Sequence, residues 1–130
     1  MHFDEAARRE GLKVLVAEED ARLRRIVRLN LEHEGFQTLE AGSLTECETA
    51  LEQGQFGLII ISSELPEFDA QQLSGWLRTR FPLAPIPVVI LSFEPEDRLL
   101  ALPLRLATFR RKPFDPGELV GQVTRLMRTA

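Results

Sequence analysis

Two kinds of apolar spacing alternate along this chain. Lys13 to Ala17, Leu58 to Ile61 and Val88 to Leu91 are short, almost unbroken apolar runs, the pattern of strands buried on both faces. Between them, apolar residues recur at helical intervals. Leu23, Ile26, Val27 and Leu31 predict a helix over 21–34 with one buried stripe, and Gly35 suits its left-handed end. Arg22, Arg24, Arg25 and Arg28 cover the other side of that helix, which reads as a solvated basic face, with an acidic partner as the alternative.

Phe36 to Glu40 predicts a short second strand. Ser43-Leu44-Thr45-Glu46 is a capping box for a helix whose inner residues are Leu44, Cys47 and Leu51, ending at Gly54. After the central run and the Leu65-Pro66 turn, a third helix spans 70–80, with Leu73, Trp76 and Leu77 inward. Pro82, Pro85 and Pro87 stiffen the next loop, and Pro87 suits the start of the fourth strand. Leu99 to Leu106 predicts a short or distorted helix before Pro103, because Pro103 does not fit a regular helix interior. Thr108 to Arg111 is the fifth strand. Asp115-Pro116-Gly117-Glu118 then opens a last helix with Leu119, Val120, Val123, Leu126 and Met127 inward. Strand and helix thus alternate five times, which specifies an α/β fold: one doubly wound parallel sheet with right-handed crossovers. The polar first 11 residues read as a flexible tail, and 12–130 as one domain.

The net charge of −4 argues against direct nucleic-acid binding. No apolar run reaches the ~20 residues of a membrane span. A single cysteine, Cys47, excludes an intrachain disulfide and a Cys-based zinc cluster, and a reducing, cytoplasmic setting fits.

In open α/β sheets the functional crevice lies beyond the carboxyl ends of the strands. Glu18, Glu19 and Asp20 follow the first strand, where adjacent carboxylates repel unless a cation relieves them. Asp20 also reads as the cap of the next helix. Ser62, Ser63 and Glu64 follow the central strand, and Ser92 closes the fourth.

These landmarks resemble the receiver domain of two-component response regulators. Lys13-Val14-Leu15-Val16-Ala17-Glu18-Glu19 is similar to the family's first strand with its acidic pair. Leu65-Pro66 followed by Asp69 resembles the turn after the phosphoacceptor strand. Val88-Val89-Ile90-Leu91-Ser92 resembles the strand carrying the switch hydroxyl, and Lys112-Pro113-Phe114 resembles the motif after the fifth strand. The resemblance covers Leu12 to Arg128 and implies a CheY-like five-stranded sheet of order 2-1-3-4-5 with a cis Lys112-Pro113 bond. It also implies a pocket made of Glu18, Glu19, Ser62, Ser92 and Lys112, with Phe109 at the aromatic switch position.

The resemblance puts Ser62 where the family keeps its phosphoacceptor aspartate. A serine hydroxyl is a weak nucleophile without a general base, and the two histidines, His2 and His33, are not expected near it. A Mg²⁺ site would retain only Glu18 and Glu19, so at most a weak metal site on that pair, and no other cofactor, is expected. Glu64 is the one further carboxylate that would partly compensate. Phe93 adds bulk at the pocket mouth, and the segment from Ser92 to Lys112 is shorter than the family's. Lys112 is expected to pair with Glu18 or Glu19. Arg110 and Arg111 stand where the family is apolar, and a solvated edge or a reach toward the acidic cluster are the two readings.

The function implied is an atypical, stand-alone receiver that is not an enzyme and does not depend on aspartyl phosphorylation. It acts on a protein partner, a histidine kinase or other signalling protein, or on a second copy of itself, through a face that includes Phe109, Arg110 and Arg111. The alternative is residual phosphorylation of Ser62 or a nearby carboxylate such as Asp69. A flavin or nucleotide binder is disfavoured, because Glu18-Glu19-Asp20 would repel phosphate where a glycine-rich turn should cradle it.

Overall fold

A computed structural model describes residues 13–81, 86–95 and 107–129. Among them are β1 (Lys13–Ala17), α1 (Ala21–His33), β2 (Gln37–Ala41), α2 (Leu44–Gln53), β3 (Phe56–Ser62), α3 (Ala70–Arg80), β4 (Val88–Ser92), β5 (Ala107–Arg111) and α4 (Pro116–Thr129). The strands form one sheet in the order β2-β1-β3-β4-β5, and every neighbouring pair is parallel. The expected tail and the expected helix over 99–106 lie outside the described residues.

Alternation along the inner strands divides the core in two. Leu15, Ala17, Ile59, Ile61, Val88 and Ile90 pack with α2 and α3 through Cys47, Leu51, Leu73 and Leu77. Val14, Val16, Leu58, Ile60, Val89 and Leu91 pack with α1 and α4 through Val27, Leu31, Leu119 and Val123. The apolar runs are continuous because each successive side chain has a helix layer to meet. Burial pushes the Cys47 thiol up to about 12, with the Glu48 carboxylate adding to the shift, so it behaves as a small apolar residue.

Helix starts follow their caps. Asp20 Oδ1 accepts from the N–H groups of Arg22 (2.9 Å) and Leu23 (3.3 Å). Ser43 Oγ accepts from the Glu46 N–H at 3.1 Å, while Glu46 reaches back to the Gly42 N–H at 2.7 Å. Asp69 caps α3 through the Gln71 and Gln72 N–H groups. Gly35 has φ 95°, the left-handed conformation expected after α1. The Lys112-Pro113 bond is cis.

Several expectations need correction. Ile26 is 43 % exposed, because α1 meets the sheet through Leu23, Val27 and Leu31, and Ile26 lies outside that narrower line. The arginine face of α1 is not simply solvated. Arg24 Nε and Arg28 Nε each lie 2.7 Å from a different oxygen of Glu40 on β2. β3 begins at Phe56 rather than Leu58, and the β1–β3 register shifts at Gly57, which interrupts the apolar run there. Trp76 and Leu126 are only partly buried, at the rim of their clusters.

The two-layer core predicts a contrast on one measurement. Ile60→Ala, at a site with no exposed surface, should lower unfolding free energy by about 2–5 kcal/mol in a urea titration. Ile26→Ala should cost about 1 kcal/mol or less.

Candidate functional site

Backbone hydrogen bonds carry the sheet one residue past its strands and set the site. The Glu18 N–H donates to Ala41 O (3.0 Å), the Ser63 N–H to Leu91 O (2.9 Å) and the Lys112 N–H to Ser92 O (2.8 Å). The ends of β1, β3, β4 and β5 are thereby brought level. Glu18, Ser62, Ser92 and Lys112 are all buried there. Glu18 is held further by its own surroundings: its Oε2 accepts from the Asp20 N–H (3.0 Å), and its carbonyl accepts from Arg24 Nη1 (2.9 Å).

Lys112 Nζ lies at the centre. It is 2.8 Å from Glu18 Oε1, 3.1 Å from Glu64 Oε1 and 3.5 Å from Glu19 Oε2, and it donates to Ser62 Oγ at 3.0 Å. The Phe93 ring, 59 % exposed, lies with its centroid 5.3 Å from the same nitrogen and covers it from the solvent side.

Glu64 turns inward, a direction sequence could not supply. Its Oε2 accepts from Ser92 Oγ (3.1 Å) and from the Phe93 N–H (3.1 Å), and Ser63 Oγ lies 3.0 Å from it. Ser63 Oγ and Ser92 Oγ are themselves 2.6 Å apart. With one proton per hydroxyl, Ser63 donates to Ser92 while Ser92 donates to the carboxylate. Ser62 Oγ accepts from both Lys112 Nζ and the Glu64 N–H (3.1 Å), and donates to Glu64 Oε1 at 3.3 Å.

The protonation shifts follow from this crowding. Burial alone would lower the Lys112 pKa, but Glu18, Glu64 and Glu19 more than offset it and raise it. Burial alone would raise the Glu64 pKa, but the Phe93 N–H, Lys112 and Ser63 bring it below the ordinary carboxylate range. Glu19 is lowered in the same sense: its burial is outweighed by its own backbone N–H, Ser62, Glu18 and Lys112. For Glu18, burial dominates over Lys112 and the Asp20 N–H, and the shift is upward.

The sequence profile of the response regulator receiver domain matches residues 14–124. The chain belongs to that family. It is a signalling family, not one of enzymes. The chain is similar to the transcriptional regulatory protein GltR of Pseudomonas aeruginosa, with 30 % identity over 92 % of this chain and 50 % of that protein. It is also similar to the phosphate regulon transcriptional regulatory protein PhoB of Escherichia coli, with 33 % identity over 89 % of this chain and 52 % of that one. The chain therefore spans about half the length of these relatives. Among solved structures, the response regulator receiver protein from Sinorhizobium medicae superposes with a TM-score of 0.78 at 19 % identity, over 92 % of this chain and 96 % of that one.

All six pocket residues expected from sequence, Glu18, Glu19, Ser62, Glu64, Ser92 and Lys112, converge in this receiver. The other face residues do not join them. Arg110 hydrogen-bonds Gln122 (2.9 Å) and pairs with Glu118 (3.2 Å) on α4, so neither a reach to the acidic cluster nor a purely solvated edge describes it. Phe109 is partly buried on the α2–α3 side of the core, and Arg111 is exposed. Asp69, as a helix cap, is exposed. Ser63 was legible only as part of the strand-end triplet. The Phe93 N–H had no side-chain signal at all.

A family Mg²⁺ site can be tested against this donor set. Glu19 Oε1 is buried without a hydrogen-bond partner, which a cation would relieve. Glu18, however, is engaged with Lys112 and the Asp20 N–H, and the third position holds the neutral Ser62. Two glutamates already sharing an ammonium do not make a good site for a hard divalent ion.

Removing the ammonium leaves Glu18 buried and uncompensated. Lys112→Ala is expected to cost about 3–5 kcal/mol in urea unfolding at neutral pH. Adding Glu18→Gln to that variant should restore part of the loss, because the stranded charge goes with it.

Proposed function

We propose that this chain is an atypical receiver domain that signals by protein contact and does not depend on aspartyl phosphorylation. The observation that carries the reading is the condition of Ser62 Oγ, at the position where the family resemblance puts the phosphoacceptor. It is an uncharged alcohol whose two lone pairs accept from Lys112 Nζ and the Glu64 N–H. Lys112, its pKa raised by three carboxylates, stays an ammonium and is no base for it. The pocket works instead as a charge network that ties the loops after β1, β3, β4 and β5 together, and no resident Mg²⁺ belongs to this reading.

The partner is a protein, a histidine kinase or another signalling protein, or a second copy of the chain. The face we favour is β5 with the adjoining side of α4. There Arg110 is held by Glu118 and Gln122 and Arg111 is exposed, while Phe109 packs on the α2–α3 side of the same strand. GltR and PhoB are named as transcriptional regulators, but this domain's net charge of −4 favours protein over direct nucleic-acid contact. Among the described residues no helix is long and apolar enough to cross a membrane. A cytoplasmic setting suits the buried, unpaired Cys47.

One observation favours a second reading: a carboxylate, Glu64, does lie 3.1 Å from Lys112 and could itself accept a phosphoryl group. Against this, the donors that would hold the transferred phosphoryl oxygens are already spent on that carboxylate. Incubation with Mg²⁺ and a small acyl-phosphate donor, followed by intact-mass measurement, separates the readings. No adduct is expected. An acid-stable adduct would place phosphate on Ser62, and a hydroxylamine-labile one on Glu64 or another carboxylate.

A further inference from the structure

We propose that Glu64 is a tethered anion that plugs a built oxyanion cradle and thereby holds the Ser92–Phe93 segment in place without any external ligand. This rests on the reading of the pocket as unphosphorylated. The cradle's donors are the Phe93 N–H, the Ser92 hydroxyl and the Lys112 ammonium, and the Ser63 hydroxyl, from a third loop, backs the Ser92 hydroxyl. The Phe93 N–H and Ser92 Oγ each lie 3.1 Å from Glu64 Oε2, Ser63 Oγ lies 3.0 Å from it, and Lys112 Nζ lies 3.1 Å from Glu64 Oε1. Convergent donors of this kind form an anion site whatever supplies the anion. The chain supplies its own, from two residues beyond the end of β3, so the local concentration of the anion is set by covalent attachment rather than by solution.

Three features make the plug more than a surface contact. Ser92 is buried and its Oγ also accepts from the Glu94 N–H at 3.0 Å, so the carboxylate orders the backbone on both sides of Phe93. The Phe93 ring lies over the Lys112 ammonium, 5.3 Å from ring centroid to Nζ. The Glu64 N–H bonds to Ser62 Oγ, which fixes the turn from which the side chain returns. Glu18 and Glu19, 2.8 and 3.5 Å from the same Lys112 Nζ, make the site unfavourable for a highly charged competitor. The external ligand class it fits once emptied is therefore a small monoanionic oxyanion of carboxylate size.

The test removes the plug and supplies the anion in solution. Glu64→Ala leaves a space that acetate can refill. With acetate titrated at constant ionic strength against chloride, the variant should show a saturable rise in melting temperature. It should also show movement of the Ser92 and Phe93 amide signals toward their wild-type positions. The wild-type protein should show neither. A folded Glu64→Ala protein indifferent to acetate, or a wild-type protein that responds as strongly, would overturn the proposal. Should the variant not fold, the wild-type protein still decides. Its Phe93 amide signal must titrate together with the Glu64 carboxyl carbon, at a pH below the ordinary glutamate value of about 4.3. Glu18, Glu19 and Lys112, which face the same pocket, are followed in the same spectra. A Phe93 amide silent through the Glu64 titration would overturn the plug. Acetate is not a phosphoryl donor, so failure here is separate from covalent phosphorylation, which would instead remove the functional reading.

Discussion

One ammonium group is shared among the loops after three strands. Lys112 Nζ follows β5, and it touches carboxylates that follow β1 and β3 and a hydroxyl at the end of β3. A buried charge is tolerated only when paired, and each of these carboxylates needs the lysine as much as it needs them. The parallel sheet makes the meeting possible, since all five strands end on the same side. The two-layer apolar core makes it rigid, because Ala17, Ile61 and Leu91 have no exposed surface immediately before the charged residues begin.

This arrangement is stable as it stands, and that bears on function. A phosphoacceptor pocket needs a free nucleophile and unspent donors for the group it receives. Here the Ser62 hydroxyl is saturated, and the donors on Ser92, Phe93 and Lys112 already meet Glu64. The fold and family are those of a receiver, and the proposed reading takes the pocket as a closed network. On the reading proposed above, the surface of β5 and α4, with the exposed Arg111, carries the signal.

Most of the fold was legible because period and caps agreed. Asp20 and Ser43 each stand one residue before a helix whose start they satisfy, and the apolar runs had no other use than buried strands. The cluster was legible because strand ends in a parallel sheet come together wherever the sequence puts them. The direction of Glu64 was not, since alternation stops when the strand stops and a turn can send a side chain either way. Ile26 misled for a related reason. It satisfies helical spacing, but spacing does not say how wide a stripe the sheet can cover. For Arg24 and Arg28 the helix alone leaves a solvated face and an acidic partner both open, because the partner, Glu40, is on a different element.

The most direct test is a crystal structure of the protein soaked with Mg²⁺ and beryllium fluoride, a mimic of a bound phosphoryl group. The account predicts Glu64 still seated on Ser92 and Phe93, Lys112 still between Glu18 and Glu64, and no beryllofluoride in the pocket. Beryllofluoride bonded to Ser62 or Glu64, with a metal ion on Glu18 and Glu19, would contradict it.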